Sequence, residues 1–520
     1  MSKRPTDKPK DKPAVPAKTA TKPRKVATPR KPKAAASTPA VAVATRVLAA
    51  VSEIYPLVKT GGLADVAGAL PLALAKIGVQ VRSLVPGYPA VMQALTQAEP
   101  VLTRDNLFGG PARVLAATVA GLDLLVLDAP HLYDRVGGPY VDQNGHDWWD
   151  NPVRFAALSR IAADIGLGAL PGWTPDVVHC HDWQTALAVA YLHYAGGPRP
   201  RTVMTVHNLA FTGQVPIGLR ETLGLPPESL TMEGVEFYGA IGYLKAGLRF
   251  ADVITTVSPT YAQEIQTPEY GCGFDGLLRS RRDVLHGILN GIDTDVWNPE
   301  TDPHLVSRYS AKDLTGRAPN KPWLQERMGL TVDPAALLYG VVTRLTTHKG
   351  MDRLLVALPA LLATGAQLAL VGTGDPALEA GFRAAALAHP GRVGVVIGYD
   401  EALAHQMQAG IDALLMPSRF EPCGLTQMCA LRYGAVPVVS RVGGLADSVI
   451  DANEAAVRAG VATGVVLSGG GVAGLESGLV RARALWGSAG VWAGLTANAV
   501  KQAVGWEAEV GLYVEVFARG

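Results

Sequence analysis

Five short segments carry residue types whose spacing suits the handling of an anion and a sugar. The first, Lys59-Thr60-Gly61-Gly62-Leu63-Ala64-Asp65-Val66-Ala67-Gly68, follows an apolar run and opens a helix-like stretch. A glycine pair there lets backbone N–H groups approach an anion, and Lys59 adds a compact positive charge. The segment matches neither G-x-G-x-x-G nor G-x-x-x-x-G-K-S/T, which argues against a dinucleotide fingerprint and a Walker loop. A tight turn with no ligand is the plainer reading of Gly61-Gly62. The second, Val177-Val178-His179-Cys180-His181-Asp182-Trp183, delivers His181 and Asp182 to the end of a strand, and the third, Thr205-Val206-His207-Asn208, ends the next strand in the same way. His179 reads as a buried structural histidine and His181 as a site residue. Zinc is not expected, because no further ligands stand at a telling spacing.

The fourth segment, Thr343 to Gly350, sets Arg344 and Lys349 around a turn after a strand. Two cations there suit a diphosphate leaving group and could neutralise developing charge without a metal, although a solvated basic loop has the same composition. The fifth, Pro417 to Thr426, precedes a helical run, so the Gly424, Leu425 and Thr426 amides would face a phosphate. Glu421 is then expected at the rim, accepting hydrogen bonds from sugar hydroxyls.

The elements that must position these segments are legible as continuous apolar runs alternating with helix-like stretches. Val47–Val51, Val81–Val85, Leu122–Leu127, Val177–Cys180, Val203–Val206 and Val253–Val257 form one series. Leu338–Val342, Gln367–Val371, Val393–Ile397, Ala413–Met416 and Val436–Val439 form a second. Such runs predict parallel strands covered on both faces, hence an α/β protein of two doubly wound domains. The expected divisions are a tail over 1–45, domains over 46–262 and 263–500, and a terminal helix over 501–520. Ligands of open parallel sheets sit beyond the carboxyl ends of the strands, where all five segments fall.

At 520 residues and 48% hydrophobic content, the chain is too long for one small module and too apolar for wholesale disorder. The formal charge of +2 hides an asymmetry, since residues 1–45 carry twelve Lys/Arg against Asp7 and Asp11, and the remainder nets −8. The Lys/Pro/Ala-rich tail is expected to be disordered, serving as a solubilising segment or as a weak contact for nucleic acid or another polyanion. Cys180, Cys272, Cys423 and Cys429 make no C-x-x-C pair, which fits a reducing cytoplasm. The charge-free stretch Ala459 to Leu475, taken as the candidate membrane span, holds six glycines and reads as loop and turn, so no membrane segment is expected.

Taken together, KTGGLADVAG over 59–68, His181-Asp182-Trp183, Thr205–Asn208, Asn290-Gly291-Ile292-Asp293, Arg344 with Lys349, and RFEPCGLTQ over 419–427 resemble the bacterial-type glycogen synthases, relatives of plant starch synthases. The match is collinear from about Arg46 onward. The resemblance implies the GT-B arrangement of two Rossmann-like domains facing a deep cleft. It also implies transfer of glucose from ADP-glucose to the non-reducing end of an α-1,4-glucan with retention of configuration. No cofactor and no metal are implied.

By this likeness, Lys59, Arg344 and Lys349 hold the diphosphate, with Gly61, Gly62 and the Gly424–Thr426 amides assisting, while Glu421, His181 and Asn208 position the donor glucose. Asp150, in Trp148-Trp149-Asp150-Asn151, resembles a further active-site acid, and Tyr399 would border the adenine. Asp65 and Cys423, inside the two most specific segments, join the expected substrate-binding set. Another donor such as UDP-glucose, or an inactive glucan-binding scaffold, are the alternatives. The sequence departs from the family at Ala462–Leu467, where an aromatic usually follows the glycine, and in the glycine-rich run Ser468–Gly474.

Overall fold

A computed structural model describes residues 45–518. The expectations for the basic tail up to residue 44 therefore lie outside the described residues. In chain order the strands are β1 (Arg46–Ala50), β2 (Gln80–Pro86), β3 (Glu99–Arg104), β4 (Ala112–Val119), β5 (Leu122–Asp128), β6 (Val177–His181), β7 (Arg201–Val206), β8 (Gln214–Pro216), β9 (Glu236–Phe237), β10 (Ala240–Gly242), β11 (Val253–Thr256) and β12 (Leu285–Gly287). A second series follows: β13 (Leu338–Val342), β14 (Gln367–Gly372), β15 (Val393–Ile397), β16 (Ala413–Met416), β17 (Val436–Val439) and β18 (Val465–Val466).

The first sheet runs β12-β11-β7-β6-β1-β2-β5-β4-β3. From β12 to β5 all neighbours are parallel, while β4 and β3 close the edge antiparallel. The second sheet, β15-β14-β13-β16-β17-β18, is parallel throughout. The apolar runs become strands because burial on both faces removes any demand for alternation; Leu122–Leu127 and Leu338–Val341 are buried almost without interruption. In each sheet the order reverses beside a strand that carries site residues. The chain leaves β1 for β2 on one side and returns to β6 on the other, and it leaves β13 for β14 and returns to β16. Both crevices lie where such reversals form ligand sites, and the five chemistry-bearing segments leave β1, β6, β7, β13 and β16.

β12 pairs with β11 in register Ile254↔Leu285, so the first sheet extends past the boundary expected at 262 and 263. The chain crosses between lobes again near residue 505, where Ile292 bridges Gly505 and the Ile292 amide donates to the Val504 carbonyl at 2.9 Å. Gly291 sits at this crossing because a Cβ there would lie 2.5 Å from the Trp506 nitrogen. Beyond it, helix Val510–Ala518 packs Val510, Tyr513, Val516 and Phe517 against Val47, Val177, Val203 and Val253 of the first sheet. The terminal helix thus begins later than residue 501, after a 3-10 turn at Trp506–Ala508. The glycine-rich run is not all loop either, since Gly471 opens helix Gly471–Trp486. Among the described residues, no helix is long and apolar enough to cross a membrane.

Candidate active site

After β1 the chain passes through Glu53, whose buried carboxylate accepts the Thr60 amide and fixes the loop that ends in the glycine pair. Burial raises the Glu53 pKa, opposed by the Thr60 and Gly61 hydrogen bonds. Helix Gly62–Lys76 starts immediately after, and Gly61, its N-cap, is extended at φ −158°. Neither glycine adopts the left-handed backbone that would require it. A Cβ on Gly61 would come no nearer than 4.0 Å to the Glu53 carboxylate, and one on Gly62 would lie 3.6 Å from Leu425 Cδ1 across the cleft. The two lobes therefore meet loop against loop at this point. Lys59 donates to Asp65 Oδ1 at 2.7 Å and lies 5.4 Å from the Tyr55 ring centre. Burial raises the Asp65 pKa and Lys59 opposes the shift.

At the ends of β6 and β7 three histidines pack together. His181 Nδ1 lies 2.9 Å from His207 Nε2, and His179 Nε2 lies 2.6 Å from Thr205 Oγ1. Burial holds all three neutral, lowering His179 and His207 to about 3 and His181 well below its ordinary value. His181 does not reach into open solvent, being only 2% exposed, and its ring borders an apolar cavity with Val66, Leu70 and Leu74 of the helix after the glycine pair. Asp182 turns the chain at φ +56° and accepts the His207 amide at 2.7 Å; burial raises its pKa to about 7. Asn208 spends its Oδ1 on the Ala210 amide at 3.0 Å, shaping the loop after β7.

Asp150 opens helix Asn151–Gly166 and is clamped bidentately by Arg135, at 2.6 and 2.5 Å. The clamp was not legible in the sequence, and neither was the residue beneath it. Arg154 is fully buried and, among the described residues, has no carboxylate partner, donating to the Leu132 and Pro139 carbonyls and to Asn151 Oδ1. Its guanidinium is ringed by Tyr88, Tyr133, Trp148 and Phe155, each within 5.9 Å of the ring centre.

In the second lobe the loop after β13 meets the loop after β16. Gly350, at φ +73°, must be glycine because a Cβ would lie 2.0 Å from the Pro417 carbonyl. This contact brings Lys349 within 2.5 Å of Glu421 Oε2, with Ser418 Oγ at 3.3 Å from the same oxygen. Glu421 is not at an open rim: it is 5% exposed, because Gly443 and Gly444 pack directly on the Glu421 and Cys423 backbone. Arg419 ties the two loops together through Asp352, at 2.6 Å to each oxygen. Arg344, just after β13, is exposed. Helix Thr426–Tyr433 opens as expected, while Gly424 at φ +72° leaves room for Gln427, whose Nε2 donates to the Gly424 carbonyl at 2.8 Å. Cys423 is buried, which raises its thiol to about 12 and leaves it packing rather than reacting. Tyr399 is 71% exposed, and its hydroxyl donates to Glu401 at 3.2 Å. The other Glu401 oxygen accepts from Tyr55 of the first lobe at 3.2 Å, a second link across the cleft. Among the described residues, no group of His, Cys, Asp and Glu could hold a metal ion.

A separate open depression of about 1040 Å³, lined by His193, Arg199, Arg249, Asp252 and Arg281, lies at the opposite ends of β7 and β11 and is not part of this cleft.

Comparison with known proteins places this geometry. Residues 46–280 match the starch synthase catalytic domain, and residues 329–467 match glycosyl transferases group 1. A glycogen synthase of Rhodopseudomonas palustris is 58% identical over 466 residues, covering 90% of this chain and 95% of that protein. One from Methylocella silvestris is 57% identical, covering 90% and 97%. Among solved structures, the catalytic domain of starch synthase IV from Arabidopsis thaliana, bound to ADP and acarbose, superposes with a TM-score of 0.79 at 31% identity, covering 92% of this chain and 99% of that one. With two largely parallel sheets, a cleft between them and this likeness along nine-tenths of its length, the chain belongs to the glycogen and starch synthase family of glucosyltransferases, built on the GT-B fold.

Proposed function

We propose that the cleft transfers glucose from ADP-glucose to the 4-hydroxyl at the non-reducing end of an α-1,4-glucan, with retention, and that the first lobe serves the acceptor while the second holds the nucleotide sugar. The observation that carries this reading is the glycine pair. Neither backbone conformation nor internal packing requires glycine at 61 or 62, and Gly62 faces Leu425 of the opposing loop. What such a pair supports is close approach by a ligand lying between the two loops, with the start of helix Gly62–Lys76 on one side and that of helix Thr426–Tyr433 on the other. The ADP carried by the starch synthase IV relative is a diphosphate of that kind.

The chemistry assigned to the residues is electrostatic. Lys349 and Arg344, helped by Lys59, would stabilise negative charge as the bond between the sugar C1 and the phosphate oxygen breaks. The acceptor oxygen forms the new bond to C1 on the same face, and its proton passes to the departing phosphate oxygen. Glu421, held beside Lys349, would orient the ammonium and the donor sugar. His181, kept neutral by burial, can donate a hydrogen bond to a sugar hydroxyl without adding a charge. Asp150 would act from the acceptor side, and Tyr399 would cover the base. The four free cysteines fit the reducing cytoplasm in which we place the reaction.

The test is transfer of radiolabelled glucose to a glycogen primer from ADP-, UDP- and GDP-glucose side by side. ADP-glucose is expected to have a kcat/KM at least tenfold above the other two. Preference for UDP-glucose would overturn the donor assignment, and absence of transfer from all three would overturn the reading.

A further inference from the structure

We propose that Trp149 is a stacking platform for the acceptor glucan, an inference that rests on the glucan-transfer reading above and names a residue to which no role has yet been given. Trp149 is 86% exposed, whereas the flanking Trp148 is half-buried and Asp150 is buried. A large side chain left in water on a floppy loop means little, but this one is rigidly presented. Trp148 donates its backbone amide to the Tyr140 carbonyl at 3.1 Å and its indole Nε1 to the Gly138 carbonyl at 3.0 Å. Arg135 clamps Asp150 with two hydrogen bonds while its guanidinium lies 5.2 Å from the Trp148 ring centre. On the far side, Asn151 Nδ2 donates to the same Tyr140 carbonyl at 2.9 Å. Trp148, Asp150 and Asn151 are thus fixed, and of the four residues 148–151 the Trp149 indole is the exposed one.

Its location is set by the same bonds. Tyr140, which receives both flanks of Trp149, ends in a hydroxyl 2.8 Å from Ser52 Oγ. Ser52 adjoins Glu53, the carboxylate that holds the loop of the glycine pair. The backbone that carries Trp149 is therefore anchored about one tyrosine's length from the residues that frame the cleft, on the lobe assigned to the acceptor. An α-glucan carries no charge, so ion pairs cannot recognise it. Its pyranose rings do present apolar C–H faces, and a flat, stiff aromatic surface buries such a face at little entropic cost.

The experiment uses the full-length protein and maltoheptaose. Trp149→Ala is expected to raise KM for maltoheptaose about tenfold, with kcat at saturating acceptor and KM for ADP-glucose within about twofold. Trp149→Phe should restore most of the acceptor affinity and Trp149→Leu should not. Leu387→Ala, which removes a side chain 85% exposed on helix Pro376–Ala388, serves as the control and should change none of these values. Titrating maltoheptaose against tryptophan emission provides a readout independent of transfer: the wild type should respond saturably and Trp149→Phe should lose the response while still binding. An unchanged acceptor KM in Trp149→Ala, or an undiminished emission response in Trp149→Phe, overturns the proposal. So does a change of oligomeric state in Trp149→Ala with acceptor KM unaffected, which would mark the indole as a contact between chains. Were the wild type to transfer no glucose, the reading of function would fall, and the emission titration would still decide whether Trp149 meets a glucan.

Discussion

Removing the Lys349 ammonium perturbs two quantities that can be separated. Glu421 is 5% exposed and its Oε2 has Lys349 at 2.5 Å and Ser418 Oγ at 3.3 Å. Lys349→Ala leaves that carboxylate without its counter-ion, and stranding one member of a buried pair costs about 3–5 kcal/mol. Loss of a preorganised cation at a developing charge costs roughly 10²–10³ in kcat. The first loss should be recoverable and the second should not. Lys349→Ala combined with Glu421→Gln has no buried charge to strand, and a neutral amide can still accept from Ser418, so most of the stability should return while turnover stays low. Calorimetric or denaturant unfolding reports the first quantity, and transfer of labelled glucose at saturating ADP-glucose reports the second. If Lys349→Ala kept turnover within threefold of wild type, the cation would have no part in expelling the diphosphate. If the double variant were as unstable as the single one, the pair would not be compensating a buried charge.

Three further outcomes follow from the geometry. Gly61→Ala meets nothing closer than 4.0 Å at an extended φ, so it should fold with unchanged or slightly higher stability, by at most about 1 kcal/mol, yet lose ADP affinity at least tenfold in a calorimetric titration. Arg135→Ala strips both hydrogen bonds from buried Asp150 and should destabilise by about 3 kcal/mol or more in urea, with Arg135→Lys recovering only part because it cannot grip two oxygens at once. Acid should destabilise the first lobe. His179 and His207, at about 3 when folded against 6.5 when unfolded, favour proton uptake by the unfolded chain as pH falls through that interval. Asp182, raised to about 7, works the other way over the upper part of the same range and offsets about one of them. With buried His181 also resisting protonation, the melting temperature should drop between pH 6.5 and 5; a flat profile there would refute the neutral state of these rings.

Much of the fold was legible because parallel strands buried on both faces read as uninterrupted apolar runs. Leu338–Val342 and Val393–Ile397 were located to the residue. The antiparallel edge was not. Its β4–β5 turn is Ala120-Gly121, with φ of +51° and +79°, where an Asn-Gly or Asp-Gly pair would have announced the hairpin. β12 was missed because three residues make too short a run to stand out. For the site, the spacing located the loops but not their internal pairings. Lys59 with Asp65, Lys349 with Glu421 and Arg135 with Asp150 are contacts of the folded chain, and each ties up a charge that the sequence presented as available to a ligand. Arg154 was overlooked for a related reason. An arginine on a helix reads as a solvated face, and only the converging Tyr88, Tyr133, Trp148 and Phe155 rings make burial tolerable.

The helix Val510–Ala518 has a consequence for how the molecule comes into being. Tyr513 and Phe517 lie 5.9 and 5.6 Å from the ring of His179, at the centre of the first sheet, although the ribosome delivers them more than three hundred residues later. The lobe synthesised first waits, with one face of its core uncovered, for the segment that seals it. Covering of the Val47, Val177, Val203 and Val253 face therefore requires the last helix, so that part of the first lobe's core cannot close before the second lobe has been made.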